Sequence, residues 1–444
     1  MARKLVSIAV IAVCALLLSA AFVARAQDYW ESPLVYELDP APVVEWMELL
    51  RQRVQAESVS APGGSRLYAY AGVTIYEALL PGMPDNRSLS FQAQDLPELP
   101  FPEEPGLYDW LSSANGALST VLNGLMFEAS RETHDAFNNL RERQALARIE
   151  VVGDEIVERS LAYGDLIGRE ILLWADGDGY REIEKRPWEI PTGADYLWER
   201  TNPDLPPVGP YWGELRTFAV YSAYDCWVAN NMPFSTEEDS AFYQQAMEVM
   251  QVGNNLTREQ REIAEFWIDT PGVSPTPAGH WVSIMNQMVD HLDLTLDRAA
   301  MMYGMVGMAL GDSFITAWSQ KYNELLLRPQ TYINRYISRR WRSYLETPQF
   351  PEYPSGHSVV SAAAADIMTS LFGIVPFTDR THENDTRVLR SFMSFEHAAD
   401  EAAISRLYGG IHYRTAIENG KRMGRCIAEQ SLNNIIMLPI AQGE

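Results

Sequence analysis

Apolar residues recur at three- and four-residue spacing along most of the chain, which is the period of an amphipathic helix. Residues 42–58 show this spacing, and residues 65–80 repeat it after a Pro-Gly-Gly sequence that we expect to interrupt the helix. The long, alanine- and methionine-rich segment 293–327 predicts one or two buried helices. Alternating apolar and polar residues, the signal of strands, are scarce. The pattern therefore predicts an all-α fold.

Helix starts and loops are marked by short polar and proline-rich sequences. Ser235 and Thr257 each precede a Glu or Gln by three residues, the capping-box pattern that opens a helix. Proline-rich stretches predict loops at residues 95–106, 186–213 and 269–281. The last of these loops is the best candidate for a boundary between domains. Because helices pack across such breaks into one core, we predict a single all-helical domain over residues 27–444.

The first 26 residues have the pattern of a secretory signal peptide. Arg3 and Lys4 precede an apolar stretch, and a small-x-small sequence ends at Ala26. We expect cleavage there, export to the periplasm or the exterior, and no stable membrane insertion afterwards. The apolar stretch is also long enough to span a bilayer, so an uncleaved membrane anchor is the alternative.

Composition and charge narrow the class of protein. The 444 residues are 47% hydrophobic, which supports a large core and excludes global disorder. A formal net charge of −24 argues against nucleic acid and anionic membrane surfaces as partners. Cys226 and Cys426 remain after removal of the leader. They could pair in an exported protein, and the sequence leaves this question open.

Three short segments after residue 310 carry the candidate chemistry. In "KYNELLLRP", Lys321 and Arg328 are seven residues apart, so both would lie on one face of a helix that Pro329 ends. In "YPSGHS", Ser355 is placed to cap a helix, and His357 follows at its start. A helix start binds anions through its free backbone amides. The second segment therefore places a titratable side chain beside a candidate anion site.

The third segment, "SRLYGGIHYR", places Arg406 before a double-glycine turn and His412 after it. Together the segments offer three cationic side chains, a serine hydroxyl, a glycine amide and two histidines. The cations neutralise anionic oxygens, and the histidines can bond a central atom or move a proton. Each residue alone is more typical of a cap, a turn or a solvated face. Taken together, the set suits a tetrahedral or trigonal-bipyramidal oxyanion, namely phosphate or vanadate.

These segments, in this order, resemble the signature of the vanadium-dependent haloperoxidases and of the acid phosphatases of the phosphatidic acid phosphatase type 2 superfamily. The family pattern is K-x6-RP, then PSGH, then SR-x5-H. The direct match covers residues 312–420. The resemblance implies the helical bundle of this superfamily, with the oxyanion site in the C-terminal portion, at about residues 290–440.

The resemblance also implies a role for each matching residue. Vanadate, or phosphate in the same site, would be bound by Lys321, Arg328, Ser355, Gly356, His357, Arg406 and His412. His412 would be the axial ligand of vanadium or the phosphoryl-accepting nucleophile. His357 would be the acid–base residue, and Lys321 would polarise bound peroxide.

One position departs from the family pattern. The aspartate that usually closes the third block would fall at Ala416. An acid there would orient His412 and fix its tautomer. Its absence weakens the case for phosphatase chemistry more than the case for vanadate binding. A backbone carbonyl or Glu418 could take its place.

Two aromatic residues favour a haloperoxidase. Trp318 and Phe350 match the halide neighbourhood of chloride-oxidising relatives, although the halide itself stays open. The resemblance then implies oxidation of halide with hydrogen peroxide to a hypohalite-type species, which halogenates a small organic acceptor. A homo-oligomer is also consistent with the family. The alternatives are a secreted acid phosphatase with a phosphohistidine intermediate and a non-catalytic oxyanion-binding protein.

The remaining polar residues have weaker signals. His280 would lie in an aromatic loop, with a place over the pocket as one interpretation. Asp312 is a candidate acid for one of the site arginines, with a plain helix acid as the alternative. No role is predicted for the other histidines, His134, His291, His382 and His397.

Overall fold

Helices dominate the computed structural model, which describes residues 31–102, 106–383, 387 and 389–438. The predicted leader, residues 1–26, lies outside this part of the chain. The described residues form fourteen α-helices: α1 (Ala41–Ala56), α2 (Ala61–Leu79), α3 (Trp110–Leu125), α4 (Arg131–Val152), α5 (Asp154–Asp176), α6 (Tyr180–Ile183), α7 (Ala241–Asn254), α8 (Arg258–Phe266), α9 (Thr276–His291), α10 (Leu296–Glu324), α11 (Pro329–Tyr336), α12 (Gly356–Phe372), α13 (Phe395–Tyr408) and α14 (Arg414–Asn434).

Other regular structure is sparse in the described ranges. It consists of short 3-10 helices at Val35–Glu37, Leu80–Gly82 and Trp212–Glu214, and one antiparallel pair of strands, β1 (Phe377–Asp379) and β2 (Arg390–Phe392). The prediction of an all-α fold is confirmed. Within the same residues, no helix is both long and apolar enough to cross a membrane.

The core is built around the long helix α10. It packs along α2 and also contacts α12 and α14. The approach to α2 is close because Gly72 has no side chain, and a Cβ there would lie 2.1 Å from the Tyr303 carbonyl oxygen. One apolar cluster runs from Val35 to Met437, so residues from both halves of the chain share a core.

Several local predictions are confirmed. Residues 42–58 and 293–327 each contain one helix, α1 and α10. The capping box at Thr257 is present, because its hydroxyl accepts from Gln260 N at 3.2 Å and the Gln260 side chain accepts from Thr257 N at 3.0 Å. In these segments the local sequence signals, namely helical spacing and the capping box, predict the same helices that the packed structure forms.

Three local predictions are wrong. The Pro-Gly-Gly sequence after residue 61 does not interrupt a helix but forms the first turn of α2, which Ser60 caps. The helix expected from Ser235 begins only at Ala241, capped by Ser240. The loop predicted at residues 269–281 ends early, since α9 begins at Thr276. In α2 and α9, proline occupies the first turn, where its missing N–H costs nothing.

A disulfide joins Cys226 to Cys426, with the Cα atoms 5.6 Å apart. It answers the question that the sequence leaves open. The bridge connects the long segment between α6 and α7 to the last helix, across 200 residues of sequence.

The end of the predicted loop 186–213 contacts the C-terminal part of α10. The Val208 carbonyl accepts from Trp318 Nε1 at 3.0 Å and from the Tyr322 hydroxyl at 2.7 Å. Leu197 forms an isolated bridge with Leu326, just after α10. The loop therefore packs against the helix that carries Lys321.

Candidate active site

Lys321 is buried near the end of α10 and faces the chain that leads into α12. Its Nζ donates to the carbonyls of Pro351 (3.1 Å) and Glu352 (2.9 Å), and also to that of Pro354. Burial, with Arg328 nearby, holds the pKa of Lys321 well below its usual range. The ammonium thus fixes the segment that carries the PSGH sequence, and its charge lies beside the other cations.

Arg328 does not share a helix with Lys321, contrary to the prediction. Helix α10 ends at Glu324, and Leu325 adopts a left-handed φ of 51°. Pro329 begins α11 rather than ending a helix, and Arg328 is the residue before its first turn. The turn between the two helices still brings both side chains to the 350–354 segment, where Arg328 Nε donates to the Phe350 carbonyl at 2.9 Å.

The Arg328 guanidinium reaches the third segment as well. Its Nη1 donates to the Ile411 carbonyl and to His412 Nε2, both at 3.0 Å. Its Nη2 is buried and has no hydrogen-bond partner among the described residues. Burial lowers the pKa of Arg328 to about 10, although the negative charge of Glu352 acts to raise it. A buried guanidinium with a free donor is suited to a further anionic partner.

Arg406 has a similar arrangement on α13. Its Nη1 donates to the Trp267 carbonyl at 2.8 Å and to His357 Nε2 at 2.7 Å. Its Nε and Nη2 are buried without a partner in the described part of the chain. Burial lowers the pKa of Arg406 to about 10, although the charge of Asp269 opposes this. Two arginines thus present free donors, each beside one of the two predicted histidines.

His412 follows the double-glycine turn, in which Gly410 has a φ of 74° that favours glycine. Its Nδ1 lies 2.8 Å from Glu352 Oε1, which also accepts from Tyr413 N at 2.9 Å. A carboxylate at Nδ1 places the proton there and leaves the lone pair on Nε2. That lone pair meets Arg328 Nη1, on the side of the free arginine donors.

Glu352 therefore places a carboxylate beside His412, which Ala416 cannot provide. Glu418, one substitute that the sequence suggested, instead pairs with Lys421 at 3.1 Å. Ala416 contributes only its carbonyl, which accepts from Ser355 N at 3.1 Å. Burial raises the pKa of Glu352 to about 7, while Arg328 and Lys321 oppose the shift.

His357 is in the first turn of α12 and is the more accessible of the two site histidines, with its side chain 17% exposed against 3% for His412. Its Nε2 accepts from Arg406, and Asp269 Oδ2 lies 3.6 Å from the same nitrogen. Burial and the charge of Arg406 lower the pKa of His357 to about 4. A neutral, partly accessible imidazole beside a carboxylate can accept and return a proton.

Ser355 and Gly356 form the start of α12, as the sequence predicts. The Ser355 hydroxyl accepts from Ser358 N at 3.4 Å and from the Ser358 hydroxyl at 2.9 Å. Gly356 lies against Trp318, and a Cβ at this position would be 3.3 Å from the indole ring. The absence of a side chain lets the helix start approach α10 and the ring.

Trp318 and Phe350 are packed together, with ring centroids 4.8 Å apart. Lys321 Nζ lies 5.6 Å and 5.2 Å from the centroids of the two rings, and Arg328 lies 4.8 Å from the Phe350 ring. The structure thus brings the predicted aromatic pair next to the predicted cations. The ring faces attract these cations, and a guanidinium is more weakly hydrated than an ammonium, so the charges can lie against apolar rings.

The donor set fits an oxyanion. Three cationic side chains, free guanidinium N–H groups and the start of a helix converge on one place, together with the Nε2 lone pair of His412. The pKa values of all three cations are lowered, because burial disfavours their charges, and Lys321 and Arg328 are each also repelled by a neighbouring guanidinium. A multiply charged oxyanion would offset that cost and satisfy the buried donors.

Sequence reasoning missed Glu352 and Asp269. Glu352 lies three residues before Ser355, between two prolines. This closeness to the PSGH sequence is the signal that could have identified it. Asp269 follows α8 with a left-handed φ of 45° and carries no sequence signal. Its Oδ1 lies 3.1 Å from Nδ1 of His280, which is buried in α9 rather than in a loop over the pocket.

One further expectation is corrected. Asp312 is not an acid for the site arginines, because its carboxylate accepts from the backbone N–H groups of residues 218–220 at 2.6–3.1 Å. His382 is buried beside His280, with the ring centroids 5.3 Å apart. Asp269, His280 and His382 are close enough for a metal site, but both His280 nitrogens already face carboxylate oxygens.

Comparison with known proteins identifies the family. Residues 301–438 match the family model described as the VCPO second helical-bundle domain. The crystal structure of a bacterial vanadium-dependent iodoperoxidase is similar with a TM-score of 0.85 and 32% identity, over 91% of this chain and 98% of that one. The chain therefore belongs to the vanadium-dependent haloperoxidases, as its sequence motifs predict.

Two more distant structures share the fold alone. A holo-type bacterial vanadium-dependent chloroperoxidase has 13% identity and a TM-score of 0.62, over 86% of this chain and 96% of its own. An apo-type bacterial chloroperoxidase has 14% identity and a TM-score of 0.56, over 91% and 97%. No curated protein matches the sequence.

Proposed function

We propose that this protein is an exported haloperoxidase that binds vanadate through His412 and oxidises iodide with hydrogen peroxide. One observation carries the assignment. His412 has Glu352 at Nδ1 and directs Nε2 toward a cluster of buried cations, whose guanidinium groups keep donors without a partner among the described residues. Family membership supports the reaction class.

Each residue of the candidate site then has a specific task. Bound vanadate would supply a Lewis acid that activates hydrogen peroxide for attack by halide; the halide is oxidised and the peroxide reduced, while vanadium keeps its oxidation state. The free guanidinium donors of Arg328 and Arg406 hold the anion, with the amides at the start of α12. His357 moves the protons, because its imidazole is the more exposed of the two site histidines and has the Asp269 carboxylate nearby, with Oδ2 3.6 Å from its Nε2.

Lys321 acts in the first place through its charge. Its three N–H groups point at three backbone carbonyls, so direct polarisation of bound peroxide requires it to release one of them. The ammonium still lowers the energy of negative charge that develops nearby, and a dry site strengthens this effect.

Iodide is the halide that the comparisons favour. The relative that is 32% identical over nearly the whole chain is described as an iodoperoxidase, whereas the chloroperoxidases are 13–14% identical. Trp318 and Phe350 would form one wall of the halide site. A small organic molecule would accept the oxidised halogen.

Export is supported by the covalent structure. Disulfides persist in oxidising compartments, and Cys226 and Cys426 are joined. The signal-peptide pattern of residues 1–26 points in the same direction.

A paired assay with orthovanadate tests the proposal. Purified protein lacking residues 1–26 is assayed with peroxide and iodide, bromide or chloride, and separately with a chromogenic phosphate ester. We expect vanadate to switch on iodide oxidation, and His412→Ala to abolish it. The exposed His291→Ala serves as the matched control. Phosphate release that vanadate inhibits, without halide oxidation, would instead establish a phosphatase. Anion binding without turnover in either arm would indicate the non-catalytic alternative.

A further inference from the structure

A buried row of three charged side chains lies behind His357. Asp269 Oδ1 lies 3.1 Å from His280 Nδ1, and His280 Nε2 lies 2.8 Å from Asp379 Oδ2. All three are buried and come from different elements, namely the turn after α8, helix α9 and strand β1. The row reaches the site at a single point, where the second oxygen of Asp269 faces His357.

The geometry defines the charge of His280. A neutral imidazole carries one N–H, so one of its nitrogens would present a lone pair to a carboxylate oxygen. Only the imidazolium donates to both Asp269 and Asp379. Its ring is stacked on Trp267, with centroids 4.2 Å apart and an interplanar angle of 21°, an arrangement that stabilises a cation. Burial opposes the charge, but the two carboxylates raise the pKa of His280 to about 9.

The far end of the row is held firmly. Asp379 Oδ1 accepts from Thr381 N at 2.8 Å, from the Thr381 hydroxyl at 2.6 Å and from Gln287 Nε2 at 3.3 Å. Asp379 Oδ2 is thereby directed at His280. Each member is oriented by the one behind it, so the position of Asp269 beside His357 is set by contacts outside the site.

We infer that His280 is a positioning residue for the acid–base histidine. Its imidazolium, anchored by Asp379, fixes the Asp269 carboxylate beside His357 and offsets part of that carboxylate's charge. The inference rests on the proposed role of His357 as the proton-transfer group.

The charged groups that face His357 explain how loss of the His280 charge would change the pKa of His357. Arg406 donates to Nε2 and favours the neutral ring, whereas Asp269 favours the protonated ring at the same nitrogen. His280 adds a positive charge behind Asp269, and His412 lies across the site. Removing the His280 charge exposes the full charge of Asp269, so protonation of His357 becomes easier.

The first test uses the wild-type protein without vanadate. Histidine side chains are labelled with 15N, and the His280 resonances are assigned by their loss in His280→Gln. We expect both ring nitrogens of His280 to be protonated at pH 7. A neutral His280 ring at this pH would overturn the inference.

The second test compares variants in their effect on His357. In folded His280→Gln, we expect the NMR titration of His357 and the acid limb of the kcat/KM profile to move upward by about one pH unit. Asp269→Asn should shift the His357 pKa in the opposite direction, because it removes the attracting charge. His291→Gln, on the same helix but exposed, should move neither. An unchanged His357 pKa in His280→Gln contradicts a positioning role.

The readouts separate this inference from the proposed function. If wild-type protein oxidises no halide, the proposed function fails, but the NMR shifts of the vanadate-free protein still decide the role of His280. If His280→Gln does not fold, the double variant His280→Gln/Asp379→Asn avoids the unpaired buried carboxylate at residue 379 and takes its place, with the same upward shift expected. If neither variant folds, the protonation state of wild-type His280 decides.

Discussion

Glu352 Oε1 lies 2.8 Å from His412 Nδ1, although the two residues are 60 positions apart in the sequence. The carboxylate comes from the segment before the PSGH sequence and takes the place of the acid that the family pattern puts four residues after the histidine. It fixes the tautomer of His412 and accepts from Tyr413 N as well. A residue from another segment thereby compensates for Ala416.

Replacing Glu352 with Gln should weaken vanadate binding. Loss of a carboxylate that orients a ligating histidine usually reduces affinity by about 10- to 100-fold. We expect a loss of this size for orthovanadate in calorimetric titration of the vanadate-free variant. Glu418→Gln is the matched control, because Glu418 pairs with Lys421 outside the site and should leave affinity unchanged. Equal affinities of wild type and Glu352→Gln would show that His412 needs no carboxylate.

Arg406→Lys should weaken oxyanion binding even though the positive charge remains. Lysine lacks the guanidinium fork, so the Nε and Nη2 donors, which are free among the described residues, are lost. Hydrogen bonds to charged groups contribute about 1.5–3 kcal/mol, and we expect roughly 10- to 100-fold weaker binding of inorganic phosphate. The same substitution at Arg414, which pairs with Glu248 nearer the surface, is the control. Unaltered phosphate affinity of Arg406→Lys would place the anion elsewhere.

His357 should make stability depend on pH in the acid range. Its pKa is lowered from 6.5 to about 4, by burial and by Arg406. Between these values the unfolded chain binds more protons, so this group's contribution to the free energy of unfolding rises with pH. The slope is at most about 1.4 kcal/mol per pH unit, and the contribution is lost as pH falls toward 4.

Urea denaturation of wild type and His357→Gln at several values between pH 4.5 and 6.5 measures this contribution as a difference. The comparison is needed because Glu352, whose pKa burial raises to about 7, contributes with the opposite sign in much of the same range. We expect the stability difference between the two proteins to grow with pH. A constant difference would mean that His357 titrates normally.

The disulfide should contribute measurably to stability. Cys226 and Cys426 close a loop of 200 residues, and loss of such a bridge typically costs about 2–5 kcal/mol. The double variant Cys226→Ser/Cys426→Ser should therefore show a lower denaturation midpoint than the oxidised wild type. Wild type under reducing conditions should behave like the variant. Identical midpoints in all three samples would show that the bridge has no stabilising effect.

The sequence by itself was sufficient for the fold class and for the family. Helical periodicity is a local property, so α1 and α10 could be predicted from single segments. The spacing of Lys321, Arg328, Ser355, His357, Arg406 and His412 is carried by short motifs, and the structure brings these side chains together. Where local signals competed, prediction failed, as at Pro329, which could end one helix or begin another.

The supporting contacts depended on tertiary structure. Glu352 meets His412, Asp269 meets His357, and His280 meets Asp379 across 99 residues of sequence, in pairs without any shared motif. The packing of separate elements decides where a buried carboxylate lies. Because buried polar groups need hydrogen-bond partners, the same packing decides which donor it meets. The motifs therefore identified the groups that can hold an oxyanion, whereas the folded chain decided which carboxylate and which guanidinium each of these histidines faces.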